Sequence, residues 1–568
     1  MLGDLAPFVP FVLGAALVLL LPARLRPVVM LLTPLAGVAL LLGWSGVGTA
    51  NATAWTVQLA GIEMVPCRPD GLGAVFAGLF CAAATLLSLF SLHVTNRTET
   101  TCSLLYAGGA VAAATAGDLI SLFVAVEVMA VASTFLIWAR GTERSRSAGL
   151  RYLYWQLASG LLLAAGAWLR VQATGSAAFA PLSLDDSGAM CLLLALGIKA
   201  AFPIAHSWLT DAYPEATPTG TVWLSAFTTK VAVCGLARLF AGVDELVYVG
   251  ATMACFPIFY AVIENDLRRV LAYSLVNQVG FMVCGIGLGT DLALAGSVAH
   301  ACNDVVFKGL LFMAMGAVLQ QTGRIGGNEL GGLWRTMPKT ATFCMVGAAS
   351  ISAFPLFSGF VSKSMVMTAA LDQGHEVVWL LLLFASAGVF HHAGIKIPFF
   401  AFFAHDSGLR PREPSWNMLL AMAIAAIWCI VVGCAPGLLY ALLPWQPGYQ
   451  PYDATHVIAQ LQILFWSALA FAWLQRSGLY PPELPSVNLD ADWFLRRLFP
   501  AIGRRLLVAW QWFWQPIAAG FGTAATGVWN ELQASQGPKH LLIRTISTGA
   551  MTLWMALLLA AVMVIFSL

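Results

Sequence analysis

Five lysines lie inside runs of apolar residues: Lys199, Lys230, Lys308, Lys363 and Lys396. An ammonium near the centre of a bilayer costs about 2.5 to 3.5 kcal/mol on insertion scales, so five of them need a reason. An acid accompanies them, Glu127 in LISLFVAVEVMAVASTFLIW. A lone carboxylate at that depth protonates, whereas a lysine on a neighbouring helix lets both groups stay ionised with coupled titrations. Adding a proton from one side and removing it to the other changes the pairing, which is the physical basis of a proton relay. His300, Asp304 and Lys308 extend the set, because spacings of four put all three on one helical face. His391 and His392 stand just before Lys396, so one of them shares its face. Snorkelling of long stems to the headgroups is the competing reading, mainly for Lys308 and Lys396. His206 and His405 fall near helix ends, where an imidazole reaches the interface.

Only membrane helices can hold such groups. Of 568 residues, 59% are hydrophobic and 10% charged, against roughly 25% charged in soluble domains, which excludes a soluble fold. A net charge of +2 carries no signal for nucleic acid. The eleven cysteines include no C-x-x-C pair, and most sit in apolar runs, as Cys81, Cys191, Cys234 and Cys284 do. They read as small packing residues, not as a disulfide framework or metal site. Apolar runs fall at 5–21, 28–47, 71–93, 101–116, 118–139, 148–171, 188–209, 218–242, 246–264, 269–288, 292–320, 338–371, 376–404, 416–442, 458–476 and 541–567. They predict an all-α polytopic protein of about 14–16 transmembrane helices. The first run is read as a span and not as a signal peptide. Outside the spans, every Lys and Arg except Arg68, Arg170 and Arg238 falls on alternate loops, which assigns that face to the cytoplasm.

Two runs carry helix breakers beside a lysine. GIKAAFPIAHSWLTDAYPEATP puts Pro203 four residues after Lys199, and ASISAFPLFSGFVSK puts Pro355 and Gly359 just before Lys363. Non-helical backbone at membrane depth is tolerated only where protein or a wet cavity satisfies it, and discontinuous helices of this kind mark ion sites. Counted from the run at 101–116, five runs lead to residue 242 and five more run from 246 to 404, with the broken one fourth in each group. The expected organisation is therefore N-terminal helices over 1–100, one five-helix repeat over 101–242, a second and inverted one over 246–404, and further helices over 416–476. A lateral amphipathic segment rich in Arg and Trp, with a final anchor helix, occupies 485–568.

FVAVEVMAVASTF, GIKAAFPIAHSWLTDAYPEATPTGTVWLSAFTTKVAVCGLARL, ENDLRRVLAYSLVNQVGFM, HACNDVVFKGLLFMAMGAV and SISAFPLFSGFVSK together resemble the proton-pumping antiporter-like subunits of respiratory complex I. The resemblance is nearest to the MrpD-like subunits of Mrp-type multisubunit sodium/proton antiporters. It implies Glu127 paired with Lys199 in the first half-channel, Lys230 as linking lysine, His300 as central histidine and Lys363 on the exit side. Several family members carry a second histidine where this chain has Asp304, which leaves room for sodium or potassium near that carboxylate. The expected function is proton translocation, most simply as monovalent cation/proton antiport, without a cofactor. The expected relay is Glu127, Lys199, Lys230, His300, Asp304, Lys308, Lys363 and Lys396. Partners are other membrane subunits of an antiporter or complex I-like assembly, in a bacterial-type inner membrane. The alternatives are a proton module of a complex I relative, a membrane-bound hydrogenase or an inorganic-carbon uptake system. A haem or quinone enzyme needs paired axial histidines or cysteine clusters that the sequence does not offer convincingly.

Overall fold

The computed structural model describes residues 5–43, 55–59, 62–68, 70–446, 448–485, 488–534 and 548–567. In chain order the helices are α1 (Val9–Leu20), α2 (Arg26–Leu42), α3 (Gly71–Phe90), α4 (Arg97–Thr115), α5 (Leu119–Trp138), α6 (Glu143–Thr174), α7 (Ala189–Lys199), α8 (Ser207–Ala212), α9 (Gly220–Ala226) and α10 (Thr228–Leu239). There follow α11 (Glu245–Ile263), α12 (Leu267–Leu288), α13 (Asp291–Thr322), α14 (Pro338–Ile351), α15 (Ser358–Asp372), α16 (Glu376–Val389), α17 (Trp416–Cys434), α18 (Gly437–Tyr440) and α19 (Ala454–Ser477). A short antiparallel hairpin, Trp55–Leu59 with Ile62–Cys67, is the one sheet among the described residues. Among those residues nine helical runs are long and apolar enough to cross a membrane. The remaining expected spans correspond to shorter, broken or less apolar helices, and the protein is an all-α multi-pass membrane protein.

Helix positions repeat along the chain. The starts of α4, α5 and α6 at 97, 119 and 143 recur in α11, α12 and α13 at 245, 267 and 291, each 148 residues on. The local chemistry repeats with them. Asp118 caps α5 by accepting from the Ile120 and Ser121 amides, and Asp266 caps α12 by accepting from those of Arg268 and Arg269. Each of these aspartates also bridges to the turn after the long helix that follows, at Ala178 and Gly326. Thr142 and Thr290 cap α6 and α13, and both 32-residue helices end on a left-handed glycine, Gly175 and Gly323.

Both broken helices use the same kind of four-residue segment. Ala-Phe-Pro-Ile at 201–204 separates α7 from α8, and Ala-Phe-Pro-Leu at 353–356 separates α14 from α15. In each, the first and last residues take the left-handed conformation, with φ of 64° and 73° in one and 56° and 72° in the other. The chain closes identically: the Phe202 amide donates to Gly197 and that of Phe354 to Ala349, at 2.9 and 3.0 Å. Proline contributes no amide, so the turn cannot resume as a helix.

The core runs through both repeats, and its most enclosed helices are α9, α10, α12 and α13. Every residue of α12 except Arg269 is buried, and α13 is buried along nearly its whole length. All eleven cysteines are unbridged. The unit formed by Met1–Asp492 is distinct from Trp493–Leu568. The latter contains α20 (Phe499–Ala534), which at 1.5 Å per residue runs about 54 Å, and α21 (Thr548–Ser567). Residues 535–547, with Lys539, Arg544 and the start of the expected last span, lie outside the described residues.

Candidate functional site

The centre of the site is an ion pair between the two repeats. Lys230 of α10 reaches Asp304 of α13 at 2.6 Å, with both side chains fully enclosed. The same ammonium donates to the Ser225 carbonyl at 3.1 Å, near the end of α9, where the negative helix terminus favours a cation. One turn further along α13, Lys308 donates to Ser274 Oγ at 2.8 Å. One turn earlier, His300 Nδ1 and Ser362 Oγ share a hydrogen bond of 3.0 Å, while Nε2 has no partner. Asn303 ties this layer to the second break by donating to the Ser358 carbonyl at 2.7 Å.

Lys363 makes use of that break. Its ammonium donates to the carbonyl of Ile351, the last residue of α14, at 2.7 Å, and lies 5.1 Å from the Phe281 ring. A freed carbonyl at the C-terminus of a half-helix thus receives a cation inside the protein. At the first break the carbonyl of Ile198, the last residue but one of α7, is taken by Trp208 Nε1 at 2.8 Å.

The first half is arranged differently from the expected Glu127–Lys199 pair. Lys199, the last residue of α7, donates to Gln156 Oε1 at 2.9 Å. Glu127 is within electrostatic range of that lysine but makes no ion pair with it. One carboxylate oxygen is buried without a partner against Gly160 of α6, where a Cβ would collide with it. Gln156 was not legible as a relay neighbour from hydropathy. The repeat register finds it: Tyr152, Gln156 and Gly160 on α6 stand 148 residues before His300, Asp304 and Lys308 on α13.

Lys396 ends a π-helical turn, Phe390–Lys396, and is fully enclosed, so its stem does not snorkel. It pairs with Glu483 at 2.8 Å and donates to the carbonyls of Val262 and Glu264 at the end of α11. His391 stacks on Tyr480, and His392 is buried without a side-chain hydrogen-bond partner. His206 is not interfacial within this fold. Its side chain is buried, with Nε2 at 3.1 Å from both oxygens of Asp490, which also accepts from the Tyr273 hydroxyl at 2.6 Å. His405 is exposed in a loop. Among the described residues no cluster of His, Cys, Asp or Glu has the spacing of a metal site.

Residues 116–390 match the NADH:quinone oxidoreductase/Mrp antiporter transmembrane family. That match covers just under half of the chain. The match takes in Glu127, Lys199, Lys230, His300, Asp304, Lys308 and Lys363, and ends before Lys396. The chain is 29% identical over 304 residues to a Na(+)/H(+) antiporter subunit of Alkalihalophilus pseudofirmus, covering 49% of this chain and 62% of the relative. It is 27% identical over 349 residues to hydrogenase-4 component B of Escherichia coli, covering 54% of this chain and 52% of the relative. Its fold superposes on a chain of the Mrp complex from a Dietzia species with a TM-score of 0.76 at 23% identity, covering 92% of this chain and 62% of that one. The chain thus spans roughly half to two thirds of the length of these relatives. Solved structures of the family fold come from multisubunit membrane complexes.

Proposed function

We propose that this chain translocates protons as the antiporter-like subunit of a multisubunit complex in a bacterial-type inner membrane, exchanging them for a monovalent cation. The reading rests on one observation above all: the Lys230–Asp304 pair, sealed at the junction of the two repeats, with Lys308, His300 and Lys363 around it. Protonating Asp304 removes the counter-charge that keeps Lys230 ionised, and the ammonium then passes its proton on. Glu127 and Lys199 supply the pair from one half-channel, 101–242. His300 and Lys363 drain it through the other, 246–404. Gln156 links Lys199 to the helix that carries Glu127's neighbour Gly160, so a change at either group reaches the other without direct contact.

A sodium ion at Asp304 would have to displace the Lys230 ammonium. Cation binding there is therefore an alternative to the ion pair and not an addition to it, which is the competition an antiporter needs. No cofactor is required by this scheme, and any redox chemistry belongs to partner subunits, as in the complex I-like or hydrogenase-like alternatives.

The test is reconstitution of the intact complex in vesicles carrying a pH dye, with sodium and potassium varied in turn. Proton movement that depends on one of the two cations supports exchange. Proton movement indifferent to both supports a proton module driven by partner subunits. No proton movement under either gradient or with active partners overturns the reading.

A further inference from the structure

Beyond Lys363 the relay needs a group that meets outside water, and the chain past the family match supplies one. Asp453 caps α19 by accepting from the His456 amide at 2.8 Å, and its other oxygen holds His456 Nδ1. A carboxylate only accepts, so the imidazole N–H stands on Nδ1 and Nε2 is left to accept. It accepts from the Thr368 hydroxyl of α15 at 3.1 Å, and the Thr368 oxygen lies 3.3 Å from the Tyr449 hydroxyl. With the Thr368 proton committed to the imidazole, Tyr449 is the donor to Thr368. The four groups therefore form one polarised row, from Tyr449 through Thr368 and His456 to Asp453.

The row leads from the buried break to the surface. On α15, Ser364, Thr368 and Asp372 are spaced by four and share a face; the first is buried, the second half-buried and the third exposed. Ser364 follows Lys363 directly. Its hydroxyl lies beside Tyr449 without closing a hydrogen bond of good geometry, and a link of that kind is carried by one water. The other side of the row is fastened to the same break. Gln460, one turn after His456, donates to the Ser352 carbonyl at 3.1 Å, next to the Ile351 carbonyl that holds Lys363. Tyr452 accepts from the Leu356 amide at 3.2 Å. At the outer end, Asp453 and His456 keep 49% and 34% of their side-chain surface open. Neither 373–375 nor 441–453 contains Lys or Arg, so this is the face opposite the arginine-rich one.

We propose that His456, held by Asp453, is the outer proton terminal of the relay, reached from Lys363 through Ser364, Tyr449 and Thr368. A proton that leaves the Lys363 ammonium and arrives at the Tyr449 oxygen releases the phenol's own proton to Thr368, whose proton passes to His456 Nε2. The imidazole becomes an imidazolium, and the Asp453 carboxylate holds that charge. Loss of the Nε2 proton to outside water restores the starting tautomer, and the two hydroxyls rotate back. One proton enters at Tyr449, one leaves at His456, and only O–H and N–H bonds change. Inward transfer is the reverse. A helix cap alone would explain why Asp453 accepts from the His456 amide. It would not explain why an imidazole, a threonine and a tyrosine from three segments stand in hydrogen-bonded order between the Lys363 break and the surface.

This terminal rests on the proton-translocating reading, and the experiment separates the two. The intact complex is reconstituted with His456→Ala, Thr368→Val or Thr368→Ser, and proton flux is read with a pH dye beside the unaltered complex. Flux should fall about a hundredfold in His456→Ala, the scale of losing one positioned proton-transfer group, and imidazole added to the solution on the His456 face should restore it. Thr368→Val keeps the shape of the side chain but removes the hydroxyl, so flux should fall likewise, whereas Thr368→Ser keeps the hydroxyl and should transport. A merely structural role for His456 gives a loss that imidazole does not repair, and that result overturns the terminal. Unaltered flux in an assembled His456→Ala complex also overturns it and leaves the central relay standing, while absent flux in the unaltered complex overturns both. Should His456→Ala fail to assemble, Thr368→Val decides, and full flux there overturns the terminal.

Discussion

Lys230 and Asp304 come from different repeats and meet at 2.6 Å with no exposure of either side chain. The last helix of the first repeat is thereby tied to the third helix of the second. Removing one partner leaves the other charge buried alone, which costs about 3–5 kcal/mol, whereas replacing both with apolar groups of similar volume is often neutral. Asp304→Leu should therefore lower the thermal stability of the complex markedly, and Lys230→Met with Asp304→Leu should recover most of it. Both should lose proton flux. A double variant that regains stability and also transports would remove the pair from the mechanism.

Gly160 leaves the space that the Glu127 carboxylate occupies. Gly160→Ala should push that carboxylate aside while adding no charge and removing none. Misplacement of a reacting group by about 1 Å can cost about a hundredfold in rate, so flux should drop on that scale with assembly retained. Flux at the unaltered level would mean that Glu127 does not act from this position.

Ile204 is a β-branched residue held at a φ of 73°, and it is 71% exposed within the chain. The left-handed conformation costs such a residue roughly 1–2 kcal/mol, and little packing is lost on shortening it. Ile204→Gly is expected to raise the unfolding temperature. A fall would show that the side chain contributes more to this break than its backbone conformation costs.

Asp490 gives a pH dependence outside the spans. Burial works to raise its carboxyl, but hydrogen bonds and charge from His206, with the Tyr273 hydroxyl and the Ala491 amide, outweigh burial and hold it below the usual carboxylate range. A depressed acid stabilises the fold above its unfolded pKa, near 3.9, and that contribution disappears as pH falls through the folded value. The segment around Asp490 should therefore stay protected from hydrogen exchange between neutral and about pH 5, then loosen in stronger acid. Asp490→Asn should weaken it at neutral pH by about 1.5–3 kcal/mol, the value of hydrogen bonds to a charged group.

Much of this was legible in the sequence because lipid imposes a simple rule. An ionisable residue in an apolar run must be explained, and that rule alone marks Glu127 and the five lysines. The Pro beside Lys199 and the Pro before Lys363 located both breaks for the same reason. Partners were harder. Gln156, Ser274 and Ser362 are neutral side chains whose importance depends on which helices touch, and hydropathy carries no such information. Glu483 and Asp490 lie in a loop where acids are ordinary, so only packing reveals that each is buried against a basic side chain. The repeat was present in the sequence as two capping aspartates 148 residues apart and two Ala-Phe-Pro motifs 152 apart, but it becomes decisive only once helix boundaries are fixed.

The most direct test is proton flux through the reconstituted, fully assembled complex carrying Glu127→Ala or Lys363→Ala, the two ends of the relay. Loss of flux in both, with subunit composition unchanged, is the predicted result. Flux equal to that of the unaltered complex in both variants would contradict the relay at its root.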